Sequence, residues 1–124
     1  MEAGQLLFSL LKQAAPVVAL VGTKIYPLVA PQGKPRPYIC YQVIDQIGNA
    51  TMTCDLDDDA RVQVSIFADT YDEVCAISQA TRKALHGQRL GPVVIDFDGN
   101  HDHHDDRALC YFRSQDYLLE GLTP

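Results

Sequence analysis

Between Tyr26 and Tyr38 the chain reads YPLVAPQGKPRPY, with prolines at 27, 31, 35 and 37 and a glycine at 33. Each proline fixes φ and removes a backbone donor, so the stretch can form neither a helix nor a central strand and is predicted to be a mostly extended loop. A strand follows at once. Ile39, Tyr41 and Val43 alternate with Tyr38, Cys40 and Gln42, and their β-branched and aromatic content predicts a strand over residues 38–47.

Before the loop, Leu6, Leu7, Leu10, Leu11 and Ala14 lie on one stripe, which predicts a helix over residues 3–14. Pro16 opens a short helical segment through VVALV, and Gly22 is placed to close it in a left-handed conformation. After the first strand, Gly48 and Asn49 signal a turn into an acidic stretch, and Val62, Val64 and Ile66 then alternate with Arg61, Gln63 and Ser65 as a strand with one buried face. Thr70 and Glu73 make a capping box for a helix in which Tyr71, Val74, Ile77, Ser78, Thr81 and Leu85 keep helical spacing up to Gly87. LGPVVIDFDG predicts a strand ending in an Asp-Gly turn, RALCYFRSQDYLLEG a final long strand, and NHDHHDD the loop between them. The order α, α, loop, β, β, α, β, β in 124 residues predicts one α+β domain, a mainly antiparallel sheet packed by helices.

Charge and cysteine usage narrow the function classes. A net charge of -6 repels phosphate backbones and anionic lipid headgroups, which disfavours ordinary nucleic-acid binding. The N-terminus carries Glu2 and no basic segment, and the longest apolar run, AAPVVALV, is far below the roughly 20 residues of a membrane span, so nothing reads as secreted or membrane-bound. Cys40, Cys54, Cys75 and Cys110 contain no C-x-x-C pair and read as reduced thiols acting as small core hydrophobes.

The sharpest chemical signal is DGNHDHHDDR. The segment reads first as a solvated hairpin tip; in the alternative reading His101, His103, His104 and Asp105 supply imidazole and carboxylate, the ligand set of zinc, nickel or manganese, and would serve a small metal-binding protein or metal-dependent hydrolase. The spacing matches no H-E-x-x-H pattern. CDLDDDAR lacks the glycine and glutamate of a calcium loop, which leaves a solvated acidic turn or a surface that faces DNA without holding it. Ser65 and Ser114 sit outside any G-x-S-x-G elbow. Tyr111, Phe112 and Tyr117 can serve either core or interface, and Arg82, Lys83 and Arg89 complement the dipole at the end of the long helix.

The ordered set formed by Gly22 after VVALV, Ile25-Tyr26-Pro27, the proline-rich loop, Pro37-Tyr38, the Arg61 strand, the capped helix and Asp116-Tyr117 resembles the tail completion, or tail terminator, proteins of long-tailed bacteriophages and their prophages. The resemblance implies a small α/β virion protein without enzymatic activity or cofactor. It further implies a homo-oligomeric ring of six on the end of the tail tube, which stops tube growth and offers a surface to the head or neck. The implied partners are further copies of the chain, the major tail tube protein and a head-tail connector or neck protein, and DNA passes through the ring without specific binding. The implied location is the virion tail, after synthesis in the bacterial host cytoplasm. A neighbouring neck protein is the other structural reading. Loop character nominates Tyr26, Pro27, Pro31, Gly33, Pro35, Pro37, Tyr38, Asp57 and Asp58 as interface residues, together with the HDHHDD loop, which has no counterpart in the family pattern.

Overall fold

The computed structural model describes residues 2–50 and 56–122. Two N-terminal helices, α1 (Ala3–Gln13) and α2 (Ala15–Val21), meet at an extended Ala14. Pro16 occupies the first turn of α2, where its missing donor is not needed, and Gly22 leaves the helix at φ 64°. Among the described residues no single helix is long and apolar enough to cross a membrane.

The remaining elements are β1 (Ile25–Pro27), β2 (Tyr38–Ala50), β3 (Leu56–Ala68), α3 (Tyr71–Leu85), β4 (Arg89–Leu90), β5 (Val93–Asp105) and β6 (Cys110–Leu122). The strands form one sheet in the order β1-β2-β3-β6-β5-β4. Among the described residues only β1 runs parallel to its neighbour, and the other pairs are antiparallel. The predicted α+β class is thus the observed one.

The alternation read in the sequence sets the core. Ile39, Val62, Val64, Ile66, Ile95, Tyr117 and Leu119 point from one sheet face and pack against Leu7, Leu11, Val17, Val21, Ile77 and Leu85 of the helices. Thr70 caps α3 by accepting a hydrogen bond from the Glu73 amide at 3.2 Å, as the capping box predicts.

The structure corrects four expectations. The extended stretch after α2 contains a strand, β1, because Ile25, Tyr26 and Pro27 can pair with Ile39, Cys40 and Tyr41 from the sheet edge. Gly48 and Asn49 do not turn the chain: β2 continues to Ala50, and Asp57, Asp58 and Asp59 of the expected acidic turn stand in β3, where Gly48 is opposite Asp58 and Ile47 opposite Asp59. Cys54 and Asp55 lie outside the described residues. Asp98 and Gly99 form a bulge rather than a turn, since the register against β6 shifts between Phe97 and Gly99. The HDHHDD segment is therefore mostly strand: β5 runs through His101, His103 and His104 to Asp105, and the hairpin closes only over residues 106–109.

Candidate assembly surface

All three helices pack on one face of the sheet, and the other face carries an aromatic row. Pairing Tyr26 with Cys40, Tyr38 with Phe67, Phe67 with Phe112 and Phe112 with His103 puts one ring from each of five strands on the uncovered side. Neighbouring centroids are 6.2 Å apart for Tyr26 and Tyr38, 5.0 Å for Tyr38 and Phe67, 5.1 Å for Phe67 and Phe112, and 4.6 Å for Phe112 and His103. Such pairs rigidify a face and hold its rings at fixed spacing. The three central rings are half-buried, and His103 at the end of the row is exposed. Cys40 and Cys110 are buried beside the row, and burial pushes both thiols upward in pKa.

The proline-rich loop frames one end of this row. The Leu28 amide donates to the Tyr41 carbonyl at 2.8 Å, and Lys24 Nζ reaches the Pro35 carbonyl at 3.3 Å. Arg36 then ties the loop to two distant elements, donating from Nε to Asp69 Oδ1 at 2.6 Å and from Nη2 to the Ala108 carbonyl at 3.3 Å in the β5–β6 turn. Pro27, Pro31, Gly33 and Pro35 are exposed, and Leu28 and Val29 stand 70% and 73% exposed at the start of the loop. Leu109 is 73% exposed in the β5–β6 turn, so apolar side chains project from both segments that Arg36 joins. Tyr26, Tyr38 and the loop nominated by sequence form one continuous surface with Phe112, which the sequence left between core and interface, and with Phe67, which it left unassigned. Asp57 and Asp58 lie at the far end of the sheet from it.

The histidines do not converge. His101 and His103 share the open face, where His101 Nε2 is 3.8 Å from Asp116 Oδ2, whereas His104 faces the helix side against Tyr111 and Asp106. Asp105 is occupied in turn formation, its Oδ1 accepting from the Arg107 and Ala108 amides at 2.9 and 3.1 Å. Among the described residues, no three His, Cys, Asp or Glu side chains are grouped to hold a metal ion.

Two polar clusters fix the helix layer to the sheet. Arg113 donates from Nε to Asp102 Oδ1 at 2.6 Å, from Nη1 to Ser78 Oγ at 3.0 Å and from Nη2 to the Tyr71 hydroxyl at 3.1 Å. The guanidinium holds the Asp102 carboxyl below its usual range, and Asp102, by accepting from Tyr71 at 2.9 Å, raises the phenol. Beneath it Gln115, fully buried, donates to Ser78 Oγ at 2.8 Å, and its Oε1 lies 2.6 Å from Thr81 Oγ1 and 3.1 Å from the Tyr117 hydroxyl. Ser78 and Thr81 interrupt the apolar stripe of α3, and that interruption is the sequence signal for a buried polar partner.

The family model for tail completion protein gp17 matches residues 5–113. In fold the chain is similar to a chain from the virion of a native gene transfer agent particle, with a TM-score of 0.80 at 20% sequence identity over 93% of this chain and 90% of that one. No curated protein matches the sequence. With a family model covering most of its length, the chain belongs to the tail completion protein gp17 family and is a structural component of a phage-type virion tail.

Proposed function

We propose that this protein forms a ring of six on the head-proximal end of the tail tube, ends tube polymerisation and joins the tail to the head or neck. The observation that carries the reading is the uncovered sheet face with its row of Tyr26, Tyr38, Phe67, Phe112 and His103. A sheet packed on one side only leaves apolar and aromatic area in water, and partners in an assembly are what normally cover it. The stiff loop from Tyr26 to Tyr38 extends the same surface and loses less entropy on docking than a flexible one. Termination is then geometric: one side of the ring matches the tube, and the other offers the next tube subunit no complementary edge. The function needs no catalytic step and no cofactor.

The test is tail assembly in the presence of a Phe67→Ser, Phe112→Ser double variant whose circular dichroism matches the wild type. Wild-type protein is expected to appear as a six-subunit species by native mass spectrometry and to cap tubes seen by electron microscopy. The variant is expected to leave tubes overlong and without heads. Normal tubes joined to heads with the variant would overturn the role of the row.

A further inference from the structure

Residues 28–37 carry more chain than the gap they close requires. β1 ends with Pro27 opposite Tyr41, the Leu28 amide donates to the Tyr41 carbonyl at 2.8 Å, and β2 begins at Tyr38, three positions back. Three extended residues would span that gap of about 10 Å, yet ten cross it. The surplus folds back over the open face, where the Ala30 amide donates toward the sulfur of the buried Cys40. Prolines fix φ but leave ψ free, so bonds from outside the loop must hold it. Two side chains supply them: Lys24 at the Pro35 carbonyl, and Arg36, which bonds Asp69 in the β3–α3 turn and Ala108 in the β5–β6 turn. The backbone is strained in both segments that Arg36 joins. Leu28 at φ 65° and Leu109 at φ 53° are, among the described residues, the two non-glycine positions in the left-handed region. Both side chains stand in water. A left-handed leucine with an exposed apolar side chain weakens the free subunit on two counts, and it persists where neighbouring contacts hold it and a partner covers it.

We infer that Arg36 is a positioning residue for assembly: it locks the proline-rich loop to the β5–β6 turn, so that Leu28 and Leu109 meet the partner covering the aromatic row as parts of one rigid surface. This rests on the ring reading above and names the residue that prepares its contact surface. The ion pair is exposed, 28% at the Arg36 side chain and 60% at that of Asp69, so it contributes little to global stability. Its effect is local. It removes, before docking, conformations that the loop would otherwise have to lose on docking.

The experiment compares Arg36→Ala and Asp69→Ala with wild type. It reads Cys40 modification by N-ethylmaleimide, located by peptide mass mapping, the urea midpoint, and ring formation and tube capping by native mass spectrometry and electron microscopy. Asp69→Ala leaves the Thr70 cap of α3 in place. Both variants are expected to keep the wild-type midpoint, to react at Cys40 at least about tenfold faster as the loop opens, and to assemble at least about tenfold more weakly. Leu28→Gly with Leu109→Gly relieves both backbones and removes both side chains; it is expected to keep the midpoint and the slow Cys40 rate and to assemble as weakly. Unimpaired capping by any of the three, whatever its Cys40 rate, would overturn the inference. So would a large fall in the midpoint of Arg36→Ala and Asp69→Ala, which would make the pair a plain structural bond, or impaired capping by those two with an unchanged Cys40 rate, which would make Arg36 a direct contact. Each of these results leaves the ring reading standing. Wild-type protein that forms no ring and caps no tube would overturn both.

Discussion

Gln115 is the residue on which the inner half of the molecule turns. It has no water to fall back on, and its amide satisfies Ser78 while its carbonyl oxygen serves Thr81 and Tyr117. Gln115→Ala strands those groups in the core and is expected to lower stability by about 2–3 kcal/mol, measured by urea denaturation. Asp102 gives a pH-dependent counterpart. Its carboxyl is held below the usual range by Arg113, so its stabilisation is fully present above the unfolded value and is lost as pH falls through the lowered folded value. The melting-temperature difference between wild type and Asp102→Asn is therefore expected to be constant near neutrality and to shrink below about pH 4; a difference that grew on acidification would contradict the pairing. Neither residue was legible as a site in the sequence. Asp102 stood in a segment read as loop, and two partners of Gln115, Ser78 and Thr81, come from α3, more than thirty positions away.

At the scale of elements, the helices and the alternating strands were readable because each carries its own periodic signal: the α1 stripe, the capped α3, and Val62, Val64 and Ile66 of β3. What escaped was set by pairing. Gly48-Asn49 and Asp98-Gly99 are turn dipeptides by local preference, yet β2 and β5 run through both because neighbouring strands supply the ladder. β1 and β4 are too short to show a period at all. Gly121 shows how tightly the far end is closed: at φ 83° in β6, its missing side chain would collide with the Pro92 carbonyl in the turn before β5. Gly121→Ala is expected to cost about 2–3 kcal/mol in chemical denaturation, combining that collision with a backbone conformation unsuited to alanine. A neutral substitution would mean that the β4–β5 turn gives way freely.

For the whole molecule, the single-sided helix layer follows from the strand order, which one sequence does not display. The family was legible because its ordered glycine, proline and tyrosine positions lie along the chain, whereas the aromatic row is assembled from five strands. In a ring, the acidic β3 segment would keep passing DNA from sticking, since like charge lowers phosphate affinity. Asp57→Lys with Asp58→Lys is accordingly expected to fold normally and slow DNA ejection, with unchanged ejection kinetics counting against an acidic lumen. The row also has an optical consequence. The chain has no tryptophan, so near-ultraviolet dichroism comes chiefly from its tyrosines and phenylalanines, and rings spaced 5.0 to 6.2 Å apart across β1, β2, β3 and β6 couple their transitions. Anything that seats on that face retunes the coupling, and the unlabelled protein reports its own docking as a change in colourless light.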